Sequence, residues 1–311
     1  MNIGLIGYGK WGPNIAKEIT LNKDLRLTAI CDIDIQRLKV AEELYSKDNR
    51  IFFDMDYRTL LTNRIDAIVV SVGMENSFGI AKDVLLANKH LFIEKPFAMT
   101  TEHAAELHRI ADQRGLTIHV DHIMVFHPAI TKIKNSITES NAMIAFEATR
   151  LTSARSNKSE GLLWDLAVHD LAVLDYLLNG QEIELIDVAY HSDEIALTLG
   201  CNSFIGRIKV GHNAKAKDRH TLIKFADKEI YFNELDERKI FTIYEKDING
   251  CLSNPMKERY AEPSALSNSL SHFMDCVHRH SKSIAGPEQA IRGIRLIEKA
   301  EKLLKMEMAK K

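Results

Sequence analysis

The opening dozen residues restrict this chain more than any other stretch. Met1-Asn2-Ile3-Gly4-Leu5-Ile6 is a short apolar run that suits a buried strand. Gly7-Tyr8-Gly9-Lys10-Trp11-Gly12 follows as G-x-G-x-x-G, and Pro13 to Ile19 reads as the next helix. Asp32 closes the following apolar run, Leu25 to Cys31, about 20 residues beyond the glycines. A strand, a glycine turn, a helix and an acid at this spacing are what a dinucleotide-binding fold requires.

Each residue of that pattern has a physical task. Gly7 allows the turn off the strand, Gly9 lets the backbone approach a pyrophosphate, and Gly12 lets the helix pack closely. The helix N-terminus offers N–H groups and partial positive charge to phosphates. Asp32 can accept hydrogen bonds from ribose hydroxyls, and its charge repels a 2′-phosphate. NAD is therefore expected in preference to NADP, with Arg37 near enough in sequence to weaken that preference. The competing reading is a tight turn with no ligand. The agreement of strand, spacing and acid argues against it.

The pattern continues as alternating strand and helix. Asp34 to Lys47 is helical, Asp66 to Ser71 a buried strand, Phe78 to Ala87 a helix and His90 to Ile93 a strand. Thr100 to Arg114 is helical, with Thr100 or Thr101 as N-cap, and Leu116 to Val120 is one more strand. Such alternation gives a doubly wound parallel sheet. Beyond it the pattern changes. His127 to Thr138 and Leu162 to Leu178 read as helices, and from Ile183 to Glu245 strand follows strand with hairpin-like breaks. Helices over about Pro263 to His280 and Pro287 to Met308 close the chain, and Lys305 to Lys311 reads as a solvated end. The expected architecture is α/β: residues 1–121 form a Rossmann domain, and 122–311 an α+β domain with a large, mostly antiparallel open sheet. The C-terminal helices are free to pack back on the first domain.

Composition narrows the function. At 311 residues and a net charge of -2, nothing favours nucleic acid or an anionic membrane. The four cysteines show no C-x-x-C spacing, as expected of reduced thiols in a cytoplasmic protein. The chain starts directly in a strand, with no signal peptide expected. No apolar run approaches membrane-spanning length.

Three groups of residues can carry chemistry. Ser71 and Glu94-Lys95-Pro96 end strands of the nucleotide domain, where an open parallel sheet forms its ligand crevice. Lys95 there either points over the nicotinamide or forms a surface salt bridge. Asp165 and His169 lie four apart on one helix face in Trp164-Asp165-Leu166-Ala167-Val168-His169-Asp170. They either stitch the core by a hydrogen bond or present a base to a pocket, work that suits histidine. His122, at a strand end, is a candidate crevice residue. Arg150 and Arg155 either grip a phosphate or carboxylate or are solvated charges. No metal site is expected: His278-Arg279-His280 reads as the basic end of a helix, favourable with its dipole, and no H-E-x-x-H spacing occurs.

Together these pieces resemble the Gfo/Idh/MocA family of nicotinamide-dependent oxidoreductases. The matching motifs are Gly7-x-Gly9-x-x-Gly12, Asp32, Glu94-Lys95-Pro96 and Asp165-x-x-x-His169. The stretches Gly7 to Asn14, His122-x-x-x-x-His127-Pro128-Ala129 and Trp164 to Asp170 resemble the branch that oxidises UDP-linked amino sugars, the UDP-N-acetylglucosamine 3-dehydrogenase-like proteins. The resemblance implies Lys95, His169 and Asp165 as catalytic residues. It implies a cofactor-binding set of Gly7, Gly9, Lys10, Trp11, Gly12, Asp32, Ser71, Glu94 and Lys95, and substrate contacts at His122, Arg150, Arg155 and Trp164. It further implies a sugar or nucleotide-sugar substrate and a homodimer or homotetramer built through the C-terminal sheet. Three stretches depart from the family pattern: Ser71 to Ser77, Ala172 where many relatives carry aspartate, and Arg155 to Gly161. Alternative functions are a dehydrogenase of a free sugar, inositol or other cyclic polyol, and a non-catalytic NAD-binding sensor.

Overall fold

A computed structural model describes residues 1–45, 50–61, 64–138, 142–153, 161–261 and 263–308. The chain divides into two compact units. One comprises Met1–Ile123 with Ser264–Ile291, the other Met124–Pro263 with Arg292–Lys311.

The first unit is built on six parallel strands: β1 Asn2–Ile6, β2 Arg26–Cys31, β3 Phe52–Asp54, β4 Ala67–Val70, β5 His90–Ile93 and β6 Ile118–Val120. Their order, β3-β2-β1-β4-β5-β6, is the doubly wound arrangement, with its switch point between β1 and β4. β4 is Ala67-Ile68-Val69-Val70, and all four side chains are buried, as both faces of a covered parallel sheet demand. The helices are α1 Gly12–Leu21, α2 Ile35–Tyr45, α3 Met74–Leu86 and α4 Thr101–Arg114, joined later by α7 Ala265–Arg279. Thr100 caps α4 by accepting a hydrogen bond from the His103 N–H at 3.1 Å. Gly115 ends that helix in the left-handed region. The helix expected to begin at Phe78 starts four residues earlier, at Met74. The edge strand β3 has too few apolar residues to stand out in sequence.

The second unit carries eight strands: β7 Ala145–Leu151, β8 Glu184–His191, β9 Glu194–Cys201, β10 Phe204–Gly211, β11 Asp218–Lys224, β12 Lys228–Asn233, β13 Ile240–Glu245 and β14 Met256–Arg259. Their order is β14-β13-β12-β11-β7-β10-β9-β8. Every pairing is antiparallel except β7 with β10, which is parallel. In β7 and β10 buried and more exposed residues alternate, so one face packs and the other stays open. The apolar helix α6 Val168–Leu177 belongs here, with α5 Pro128–Asn135. At Gly206 in β10 an added Cβ would lie 3.2 Å from Leu174 of α6, a close approach between sheet and helix. Helix α8, Pro287–Met308, passes from the first unit into the second. Among the described residues no helix is long and apolar enough to cross a membrane.

Candidate active site

The carboxyl ends of β1, β2, β4 and β5 surround a cleft of about 1010 Å³ in the first unit. Gly7, Gly9, Lys10, Trp11, Asp32, Ser71, Glu94 and Lys95 all line it. Gly12 sits just behind, in the turn.

The glycines divide into two kinds. Gly7 has φ +96°, and a Cβ there would meet the Ser71 carbonyl oxygen at 2.1 Å. A Cβ on Gly12 would meet the Gly7 carbonyl oxygen at 2.4 Å. Both glycines are required by the fold, and the close approach at Gly12 is to the turn rather than to the sheet. Gly9 differs. The nearest atom to its Cβ position is Arg37 Nη1 at 3.4 Å, an ordinary contact. The chain's own packing leaves room for a side chain there, and the position opens on the cleft. A ligand that needs the bare backbone explains it.

Asp32 Oδ2 accepts a hydrogen bond from the Tyr8 N–H at 2.6 Å, and Oδ1 accepts from the Asp34 N–H at 2.8 Å. The acid thus holds the glycine turn as well as facing the cleft. Arg37 also lines the cleft and pairs loosely with Asp34 at 3.4 Å. No side chain caps the start of α1, and Pro13 occupies its first turn. Pro13 has no N–H and the Asn14 N–H donates to the Trp11 carbonyl at 3.0 Å, so any ligand contact at this end falls to the N–H groups of the turn before it. Cleft size, bare Gly9, the glycine turn and an acid at the end of β2 together fit a dinucleotide. The thiol of Cys31, also in the cleft, is pushed up to about 12 by burial and then by Asp54, which keeps it protonated and unreactive.

At the β5 end lies a crowded acid–base group. Glu94 and Asp121 are buried carboxyls within hydrogen-bonding reach of each other. Glu94 Oε1 and Asp121 Oδ2 are met by no donor. Burial raises Glu94 well above the usual carboxylate range, and the neighbouring Asp121 adds to it. Burial likewise lifts Asp121 to about 6. One proton held between the two carboxyls satisfies both. The charge of Lys95 reaches both acids and also His122. His122 is buried, and burial, then Lys95, pushes its imidazole down to about 3. It stands beside Lys95 as a neutral ring and does not line the cleft. The sequence places Asp121, with His122, at a strand end beside the crevice but gives it no partner. Its signal, an acid directly after a short strand, says nothing about which acid it faces.

Asp165 and His169 belong to the second unit. The turn Leu163–Ala167 is π-helical rather than α-helical, a distortion that often marks functional positions. Trp164, Leu166, Ala167, Val168 and Asp170 are buried, whereas Asp165 is exposed and His169 half-buried. Within Leu162–Asp170 these two are the less buried residues, although His169 Nδ1 is itself shielded from solvent.

Two expectations for substrate contacts give way to scaffold roles. Arg150 is 5% exposed. Its Nε and Nη2 donate to Asp170 at 2.9 Å each, and Nη1 donates to Glu234 at 2.8 Å. Burial opposes its charge, but Asp170 and Glu234 outweigh burial and raise its pKa. The guanidinium is committed inside the protein. Trp164 is 3% exposed, and its indole N–H donates to Glu301 at 2.8 Å. Arg155 lies outside the described residues. Among the described residues no three His, Cys, Asp or Glu side chains are placed to hold a metal ion.

Comparison with known proteins agrees with the fold. Residues 1–122 match the model of the Gfo/Idh/MocA oxidoreductase family, NAD-binding Rossmann fold. An uncharacterized oxidoreductase of Bacillus subtilis is 26% identical over 58% of this chain and 55% of its own length. The UDP-N-acetylglucosamine 3-dehydrogenase of Acidithiobacillus ferrooxidans is 30% identical over 62% of this chain and 60% of its own length. The matched stretch thus spans little more than half of these relatives. A solved structure of the latter enzyme superposes with a TM-score of 0.82 at 22% identity, covering 96% of both chains. KijD10, a 3-ketoreductase from Actinomadura kijaniata solved with NADP and TDP-benzene, gives a TM-score of 0.84 at 16% identity, over 97% of both chains. Over residues 1–122 the chain is similar to the Gfo/Idh/MocA family of oxidoreductases, and its first unit displays the Rossmann fold of that family model.

Proposed function

We propose that the protein is an NAD-dependent dehydrogenase that oxidises a secondary alcohol of a sugar, with a UDP-linked amino sugar as substrate. The observation that carries the reading is the cleft of the first unit, with Asp32 and the bare Gly9 at its nucleotide end and Lys95 among its lining. The named activity of the Acidithiobacillus relative supports the substrate class.

NAD is held by the Gly7–Gly12 turn, the N-terminus of α1, Asp32 and Ser71, and bound nicotinamide supplies the hydride acceptor. The chain's own residues manage the proton. Lys95 donates a hydrogen bond to the substrate oxygen and stabilises the negative charge that develops there. His169 takes the hydroxyl proton as general base. Asp165, four residues before it, orients His169 or the sugar. NADP is the second choice of cofactor: Asp32 disfavours a 2′-phosphate, while Arg37 in the same cleft favours one. The open face of the eight-stranded sheet, which exposes Ile186 and Ile205, is the surface through which we expect two copies to associate.

A second substrate reading has its own support. Arg150 is locked to Asp170 and Glu234, so it is not available to a diphosphate. That favours a free sugar or cyclic polyol. The test is nicotinamide reduction by purified protein with NAD, offered UDP-N-acetylglucosamine, its uronic acid form, free sugars and inositols. Reduction only with a UDP-sugar, inhibited by UDP alone, supports the first reading. Reduction with a free polyol, unaffected by UDP, replaces it with the second. Tight NAD binding with no reduction by any donor would count against an enzyme.

A further inference from the structure

The Glu94–Asp121 pair is one end of a hydrogen-bonded line that runs through the first unit. His119 and Asp121 are two residues apart along the same extended segment, so both side chains point to one face of the sheet, toward α7. Ser269 of α7, fully buried, donates its hydroxyl to Asp121 Oδ1 at 2.7 Å. The Ser269 hydroxyl oxygen is also 2.9 Å from His119 Nε2. His119 Nδ1 is 2.9 Å from the hydroxyl of Ser283. Ser283 is half-buried and lines a separate cavity of about 270 Å³. The line therefore begins in the cofactor cleft at Glu94 and ends in a second cavity at Ser283, with Asp121, Ser269 and His119 buried between.

We propose that Glu94, Asp121, Ser269, His119 and Ser283 form a proton relay between the cofactor cleft and the second cavity, which releases to solvent the proton that His169 takes from the substrate and passes through cleft water to Glu94. A purely structural stitch would need neither two buried carboxyls facing each other at its inner end nor a cavity at its other end. The transfer conserves protons. A proton delivered to Glu94 is shared with Asp121 Oδ2. Asp121 releases one from Oδ1 to Ser269, Ser269 passes its own to His119 Nε2, and His119 gives up its Nδ1 proton through Ser283 to water. One proton enters and one leaves. His119 changes tautomer and never becomes charged, as its burial against Phe92 and Phe273 requires. The charged and titratable groups that face the line are Lys95 and His122 at the inner end, His272 beside His119, and His108, Asp112, His280, Lys282 and Glu288 around the outlet cavity.

The use of the relay rests on the dehydrogenase reading, but its existence can be measured without substrate. Nitrogen NMR of the full chain labelled at histidine reports which ring nitrogen of His119 holds the proton, titrated between about pH 5 and about pH 8, where carboxyls of raised pKa change state. The expected result is a neutral ring whose proton moves from Nδ1 to Nε2 as the pH rises and the carboxyl pair loses its proton. Asp121→Asn should abolish that shift, and Ser283→Ala should diminish it while NAD binding stays intact. One tautomer at all pH values, an imidazolium in this range, or the same shift in Asp121→Asn would overturn the proposal. A present shift with no NAD reduction by any donor would instead count against the dehydrogenase reading alone.

Discussion

The two units each bury a cluster of charge, and the clusters are built in opposite ways. In the second unit Arg150 meets both oxygens of Asp170, while Glu234 accepts from Arg150 and from Arg219 at 2.8 Å each. Every carboxylate oxygen there has a donor. In the first unit Glu94 and Asp121 turn carboxyls toward each other, and the acids match only when a proton lies between them. Matched charges hold a fold, because removing one partner strands the other in a poor solvent. Unmatched acids beside a cleft raise each other's proton affinity, which is the usual sign of chemistry. The difference separates scaffold from site more sharply than burial does, since both clusters are buried.

The comparison can be broken by substitution. Lys95→Ala should lower turnover about 10²–10⁴-fold, the range for a group acting on a proton or charge in the transition state. Its urea unfolding midpoint should stay near wild type. Arg150→Met should do the reverse and cost about 3–5 kcal/mol of stability, read by the same urea titration. Asp32→Ala is smaller in effect. Losing a hydrogen bond to a charged acceptor costs about 1.5–3 kcal/mol, so NAD affinity by calorimetry should fall roughly tenfold or more and the preference over NADP should relax. Some of that loss will come through the turn, because Asp32 also holds the Tyr8 N–H.

The smallest effect concerns pH. Asp121 is lifted from 3.8 to about 6, by burial first. The folded protein therefore holds this proton more tightly than the unfolded chain does. The resulting stabilisation is complete below the usual carboxylate range and is lost as the pH rises through about 6. Asp121→Asn cannot titrate, so wild-type stability measured against this variant should fall over that interval, by at most about 1.4 kcal/mol per pH unit. Parallel stability curves for the two proteins would show that Asp121 has no raised proton affinity.

Much of the first unit was legible because its signals are local. Gly7, Gly12 and Asp32 lie on one short strand-turn-helix-strand segment, and His90 to Ile93 forms the strand its apolar run predicts. The second sheet was legible as a kind but not in order. The parallel pairing of β7 with β10 brings together strands more than fifty residues apart, and no local pattern encodes it. Arg150 shows the same limit. An arginine in a half-apolar strand reads equally as a ligand grip or a solvated charge, and only the fold shows Asp170 and Glu234 around it. The π-helical turn at Asp165 escaped because apolar spacing around it fits an ordinary helix. The Glu94–Asp121 pair escaped because each residue ends a different strand. Their meeting follows from the parallel register of β5 with β6.

The central claim is that the unmatched cluster carries the reaction and the matched one carries the fold. The measurement that tests it most directly is a double readout on Lys95→Met and Arg150→Met. NAD reduction with the donor that the wild type accepts is recorded beside urea unfolding of each protein. The account predicts that Lys95→Met keeps its stability and loses turnover, while Arg150→Met loses stability by several kcal/mol. Full turnover in Lys95→Met, or an Arg150→Met protein as stable as wild type, would contradict it.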